Sequence, residues 1–154
     1  YKPRKRRKLK KNSPPVTHKP ELQALALRTG KIYLQELPQL TQQPVELFLD
    51  IEGVPDRQFY YLIGLLVCEN DTSAYFSFWA DTPEGESQMW QQFLAKIGQY
   101  SDAPIYHYGG YEARALVKLA KRYNARSYRF ADHLINVNKF IYCKVYFPSY
   151  SNRL

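Results

Sequence analysis

Three apolar, strand-like segments lie close together near the middle of the chain. They span residues 45–51, 59–68 and 74–80, and Gly53 and Asn70 mark the turns between them. Connections this short join antiparallel neighbours, because a parallel pair of strands needs a crossover of a dozen or more residues. The sequence therefore predicts an antiparallel meander of three strands.

Helical and strand patterns alternate after this meander. Thr82 and Pro83 favour the start of an amphipathic helix that reaches about residue 100, and residues 104–108 form a fourth strand-like segment. A second helix is predicted over 111–123 and a third over 132–140. A meander followed by a crossover helix and a further strand predicts an α/β fold with an RNase H-like mixed sheet, incomplete at the C-terminus because its final strand or covering helix is not assigned.

The residues before the meander divide into two parts. Residues 1–19 are predicted to be a basic, disordered tail that ends in a proline-containing spacer. Residues 20–44 are predicted to contain a short helix, opened by Pro20 and closed by Gly30, and then a short strand or extended linker. The RNase H-like domain is predicted over 45–154.

Positive charge is concentrated in two places. The chain has a net charge of +8, and residues 2–11 hold eight of its 22 basic residues and no acid. Residues 46–112 are strongly acidic and residues 113–154 strongly basic. Basic segments of this kind favour nucleic acid as a partner, although an address signal, a solvated terminus or a solvated helix face would have the same composition. The candidate nucleic-acid contacts are Lys2, Arg4, Lys5, Arg6, Arg7, Lys8, Lys10, Lys11, Arg114, Lys118, Lys121 and Arg122.

Cysteine content and hydropathy exclude several classes of protein. The 154 residues include only two cysteines, Cys68 and Cys143, without the paired spacing of a disulfide scaffold or a zinc site. The longest apolar run is far shorter than the ~20 residues that cross a bilayer. These features predict a cytoplasmic protein with no membrane partner.

Acidic residues follow the first and fourth strand segments. Asp50 and Glu52 are two residues apart, so the period of a strand points both carboxylates to the same side. Glu112 follows Gly109-Gly110 at the start of the second helix, where the helix dipole favours an anion. Because the first and fourth strands are neighbours in an RNase H-like sheet, these three carboxylates are candidate catalytic residues and ligands for Mg²⁺ or Mn²⁺. A polar strand end and an ordinary first-turn glutamate remain the alternative interpretation.

Four stretches carry a family resemblance. FLDIEG at 48–53, YYLIGLLV, FWADTPEGE and IYHYGGYEARALVKLA resemble the RNase H-like (DEDD exonuclease-type) domain of the YprB and RecB-like nuclease families, over about residues 45–154. The resemblance implies a two-metal nuclease acting on DNA or RNA, 3′–5′ in direction, and working within a larger nuclease or helicase assembly. It places Asp50 and Glu52 in the first motif and Glu112 in the second.

The third motif of that family, a late Asp after His or Tyr, has no match. Asp132 is the only acid after Glu112. In the resemblance it matches a family position that precedes the third helix, and it does not match the last metal ligand. The chain is therefore expected to be a fragment with little or no activity by itself. The alternative function is a non-catalytic nucleic-acid-binding module of a transposon- or repair-associated protein.

Overall fold

The structure is a computed structural model and describes residues 18–124 and 132–149. The contacts divide the chain into two compact units. One is Pro38–Ile141, and the other is made by the described parts of Tyr1–Leu37 and Tyr142–Leu154. The predicted domain limits at residues 20, 45 and 154 stay predictions.

The larger unit is built on a five-stranded mixed sheet. Its strands are β2 (Val45–Val54), β3 (Phe59–Glu69), β4 (Thr72–Trp79), β5 (Ile105–His107) and β6 (Leu134–Asn136). Strand β2 is central, with the antiparallel strands β3 and β4 on one side and the parallel strands β5 and β6 on the other, in the order β4-β3-β2-β5-β6. The predicted meander, the neighbouring first and fourth strand segments and the RNase H-like α/β class are confirmed.

The two longest helices of this unit pack against the sheet. Helix α2 (Glu86–Ile97) lies between short 3-10 turns at Pro83–Gly85 and Gly98–Tyr100, and helix α3 (Tyr111–Arg122) follows β5. Both contribute to one apolar core with the alternate, buried residues of β2 and β3. The predicted helices over 82–100 and 111–123 are therefore confirmed, except that Thr82 makes no side-chain capping hydrogen bond.

The prediction of a helix over 132–140 is wrong. Residues Leu134–Asn136 form strand β6, which pairs in parallel with β5, and only Asn138–Ile141 are helical, as α4. The β-branched Ile135 and Val137 favour an extended backbone, and β6 satisfies backbone groups on the edge of β5 that would otherwise be unpaired. The sheet thus contains a fifth strand that periodicity did not assign.

The smaller unit pairs two distant parts of the sequence. Helix α1 (Pro20–Thr29) ends at Gly30, whose φ of 67° is left-handed and suits glycine. Strand β1 (Tyr33–Leu34) pairs antiparallel with β7 (Val145–Tyr146). The Tyr146 hydroxyl accepts a hydrogen bond from the backbone N–H of Lys19 at 2.8 Å. The predicted short helix and short strand are confirmed, and none of the described helices is long and apolar enough to cross a membrane.

Candidate active site

The central strand presents two carboxylates on one face of the sheet. Leu49 and Ile51 of β2 are buried, whereas Asp50 and Glu52 alternate with them and are exposed. The predicted placement of both carboxylates on the same side is therefore confirmed. Asp50 lies opposite Gly64 of β3 in the register of the two strands.

A tyrosine that sequence reasoning missed packs against Gly64. The Tyr75 hydroxyl lies 2.5 Å from the position that a Cβ of Gly64 would occupy. Tyr75 is in β4 and is 63% exposed, so its ring crosses the open face of the sheet toward the strand position paired with Asp50. In the sequence, the period of two along β4 places Tyr75 on the same face as the other exposed residues of that strand. This was the only sequence feature that could have predicted its position.

A second tyrosine packs beside the end of β2. The register of β2 against β3 shifts between Glu52 and Gly53, and the Tyr111 hydroxyl lies 2.9 Å from the Cβ position of Gly53. Burial raises the pKa of Tyr111 most, followed by the phenol of Tyr60 and the carboxylates of Glu52 and Glu112. Tyr111 thus lies within the electrostatic reach of the acid groups on β2 and α3.

Glu112 occupies a buried position in the first turn of α3. It is 8% exposed, and its Oε2 lies 3.5 Å from Nδ1 of His107, which is 6% exposed in β5. Neither atom has a hydrogen-bond partner among the described residues. The carboxylate of Glu112 is therefore held in a buried position, and its Oε2 accepts no hydrogen bond from the described residues.

The turn before Glu112 is held by an asparagine that sequence reasoning also missed. The Asn136 side-chain oxygen accepts hydrogen bonds from the backbone N–H groups of Gly109 at 3.1 Å and Asn138 at 3.0 Å. Gly109 has a φ of 84°, a conformation that favours glycine. The end of β6 thereby fixes the start of α3, and this role could not be predicted while residues 132–140 were interpreted as a helix.

The three predicted carboxylates are arranged as two groups. Asp50 and Glu52 share the exposed face of β2, and Glu112 pairs with His107 near the ends of β5 and α3. Within residues 18–124 and 132–149, no set of three or more His, Cys, Asp or Glu side chains is close enough to hold one metal ion. The assignment of all three as catalytic residues stays a prediction.

One of the four candidate nucleic-acid contacts on α3 is paired with other protein groups. Arg114, Lys118 and Lys121 are exposed along the helix, and the Arg114 guanidinium lies near the turn at Gly110. Arg122 instead pairs with Glu86 and donates a hydrogen bond to the carbonyl of Gln58 at 2.8 Å. The tail cations between residues 2 and 11 lie outside the described residues.

Replacing Gly53 with Ala tests how closely Tyr111 packs against β2. A Cβ there would lie 2.7 Å from the Phe59 carbonyl and 2.9 Å from both the Tyr111 hydroxyl and Tyr60 Cδ1. Because overpacking a tight site costs about 1–3 kcal/mol, we expect the free energy of unfolding, measured by urea denaturation, to fall by about that amount.

Gly85→Ala is the matched control for this substitution. Its nearest neighbour would be the Ala80 Cβ at an ordinary 3.7 Å. We expect its stability to stay within about 0.5 kcal/mol of the parent chain, as for most surface substitutions. Equal stability losses for the two variants would contradict the close approach at Gly53.

Comparison with known protein families gives a match over most of the larger unit. A family model described as RNase_H_2, of the RNase H superfamily, matches residues 47–152. This range includes the central strand with Asp50 and Glu52 and the helix with Glu112. No curated protein and no solved structure matches the chain significantly.

Proposed function

Because the chain belongs to the RNase H superfamily, we propose that it is a metal-dependent nuclease of the 3′–5′ exonuclease type that hydrolyses phosphodiester bonds in DNA or RNA. Membership supports a nuclease-type hydrolase with a nucleic acid substrate. The observation that carries the finer proposal is the pair of exposed carboxylates, Asp50 and Glu52, on the central strand of the sheet. Acidic side chains repel a phosphate backbone unless a cation lies between them.

The acid groups at this end of the sheet have the donor chemistry that a divalent cation takes, but no three of them among the described residues lie close enough to share one ion. Mg²⁺ and Mn²⁺ take carboxylate oxygens as ligands, and Glu112 Oε2 is a buried oxygen without a hydrogen-bond partner among the described residues. A buried polar atom of this kind calls for an ion or a water. Asp50 and Glu52 on β2, and Glu112 separately at the start of α3, are the residues that would hold metal ions. Metal bound there would supply Lewis-acid chemistry, which would polarise the phosphate and lower the pKa of a water molecule.

The chain's own groups would position the substrate. Burial keeps the pKa of Tyr111 above its ordinary value of 10, so its hydroxyl is a neutral donor at pH 7 and can donate a hydrogen bond to a phosphate oxygen. Arg114, Lys118 and Lys121 lie on the same helix as Glu112 and are exposed. They can bind neighbouring phosphates of the nucleic-acid chain. These groups orient the scissile bond without reading its bases.

A cleavage assay with protein in excess tests this function. An end-labelled single-stranded oligonucleotide is incubated with an excess of the 154-residue chain and with Mg²⁺, Mn²⁺ or EDTA, so that a single slow turnover is detected. We expect shortening from the 3′ end that requires the metal. No cleavage with either metal, together with binding that depends on salt but not on metal, would instead support a nucleic-acid-binding module.

Deleting residues 1–12 tests the proposed role of the basic tail. The deletion removes eight cations, and each phosphate contact contributes about 0.9 to the slope of log K against log salt. We expect weaker binding for all sequences alike and a smaller slope, measured by fluorescence anisotropy from low to high salt. An unchanged slope would show that the tail does not contact nucleic acid.

A further inference from the structure

The ring of Tyr75 leans over a glycine in the middle of the neighbouring strand. Three of its atoms lie within 3.4 Å of the position that a Cβ of Gly64 would occupy, and the hydroxyl is the nearest at 2.5 Å. A side chain at this position of β3 would therefore push the ring away. Glycine inside a strand weakens it and marks the close approach of another group. Tyr75 is nevertheless 63% exposed, so much of the ring that Gly64 admits stays open to solvent.

The ring points toward the strand position of Asp50. Tyr75 is paired in register with Leu66 of β3, whereas Gly64, which its hydroxyl contacts, is paired with Asp50 of β2. The tyrosine side chain therefore leans two residues along β3, toward the row of the sheet that contains the exposed carboxylate. An open aromatic ring and a candidate catalytic acid thus share one face of the sheet.

A second exposed ring lies on the other side of this row. Trp79 is four residues after Tyr75 in β4, so the two positions are about 13 Å apart, and the row of Asp50 lies midway between them. Trp79 is 58% exposed, and its ring stacks on that of Tyr61 with 6.3 Å between the centroids and 27° between the planes. Exposed aromatic rings therefore flank the row of Asp50 on both sides.

The charges on this face exclude direct binding of phosphate. None of the residues of β2, β3 and β4 is Lys or Arg, and the exposed carboxylates of Asp50 and Glu52 repel a phosphate backbone. Attraction between these strands and a nucleic acid must therefore come from groups other than phosphate. Nucleobases stack on aromatic side chains with little dependence on sequence, because every base has a planar π face. Inside a duplex both faces are covered by neighbouring bases, so only an unstacked base fits such a ring.

We propose that Tyr75 and Trp79 stack on two unpaired bases of a single-stranded substrate, one on either side of the phosphate that is cleaved at Asp50. Gly64 is the residue that positions the Tyr75 ring for this contact. The inference rests on the proposed function and deepens it, because it selects single strands over duplexes. A structural role is the alternative, since an aromatic ring over a strand glycine can also stabilise a sheet.

Two oligonucleotides with the same number of phosphates test the proposal. A labelled oligo-dT and an oligomer of equal length made of abasic sites are titrated with the 154-residue chain in EDTA, and fluorescence anisotropy measures binding. Contacts to phosphate contribute equally to both affinities, so their ratio reports the bases. Because stacking changes affinity about 5- to 150-fold per base, we expect oligo-dT to bind at least about fivefold more tightly. Equal affinities would overturn the proposal.

Tyr75→Leu removes the ring and keeps an apolar side chain. We expect its affinity for oligo-dT to fall at least about fivefold, while its affinities for the abasic oligomer and for oligo-dT paired with oligo-dA stay unchanged. Tyr75→Phe keeps the ring and should keep the preference for bases. Tyr142→Leu is the matched control, because it removes a tyrosine that is 56% exposed but lies outside this sheet. Equal effects of Tyr75→Leu on all three ligands, or no effect, would overturn the proposal.

Gly64→Ala displaces the ring without removing it. A Cβ there would meet the Tyr75 hydroxyl, so the affinity for oligo-dT should fall although both rings are still present. Thermal unfolding of each variant separates this effect from loss of the fold. If Tyr75→Leu loses stability but keeps the preference for bases, the ring only covers Gly64 and the proposal is refuted, whatever the behaviour of Gly64→Ala.

Cleavage of the same oligo-dT in Mg²⁺ or Mn²⁺ is measured separately. A preference for bases without any cleavage would refute the nuclease function and leave the stacking surface in place. Cleavage by a chain that binds oligo-dT and the abasic oligomer equally would refute the stacking surface and leave the nuclease function in place.

Discussion

Replacing Asp50 with Asn is expected to reduce metal-dependent cleavage at least about 100-fold, since changing groups that merely surround a metal ligand already costs 10–100-fold. The substitution removes one negative charge and one oxygen of the proposed metal ligand but keeps the size of the side chain. Asp50 is exposed on β2, so little packing is lost. Nucleic-acid affinity measured without metal should stay the same or rise slightly, because a carboxylate that repels phosphate has been neutralised.

Glu69→Gln is the matched control for this variant. Glu69 is an exposed acid at the far end of β3, paired in register with Val45 at the start of β2. The substitution makes the same change in charge within the same sheet but away from Asp50, and cleavage should be unchanged. Equal losses in both variants would indicate a general electrostatic effect, and no loss in Asp50→Asn would assign catalysis to other residues.

The sequence predicted those parts of the fold in which local pattern and tertiary structure agree. The meander and helices α2 and α3 have strong periodicity, and their apolar residues meet in one core. The short strand β6 has only three residues, and its conformation is decided by pairing with β5, a contact between distant residues. Periodicity over so few residues does not separate a strand from a helix.

For the candidate site, the sequence likewise predicted the features that depend on neighbouring residues and not those that depend on tertiary contacts. The period of two placed Asp50 and Glu52 on one face, because strand geometry depends only on neighbouring residues. The contact between His107 and Glu112 depends on the path of the turn after β5, and the contact of Tyr111 with Gly53 depends on an irregularity in β2. Both are tertiary features, so a single sequence does not reveal them.

Glu86 is a buried charged residue at the centre of a hydrogen-bonded network in the larger unit. Its side chain is 1% exposed and joins three parts of the fold. One oxygen accepts hydrogen bonds from the Tyr60 backbone N–H at 2.7 Å, and the other accepts from the Tyr123 hydroxyl at 2.8 Å and from the Arg122 guanidinium. Burial lowers the pKa of Arg122, but the hydrogen bond and charge of Glu86 outweigh it and raise the pKa overall.

Glu86→Ala should therefore lower the free energy of unfolding by about 1–3 kcal/mol, the cost of leaving a buried donor without its acceptor. The change leaves the buried Tyr60 N–H without its acceptor, whereas the exposed Arg122 keeps the Gln58 carbonyl. Glu86→Gln keeps an oxygen for Tyr60 and should cost less, and Glu84→Ala, at an exposed acid two residues earlier, should cost under about 0.5 kcal/mol. Urea denaturation followed by tryptophan fluorescence measures all three. A loss in Glu86→Ala no larger than that in Glu84→Ala would show that α2, β3 and α3 are held together without this carboxylate.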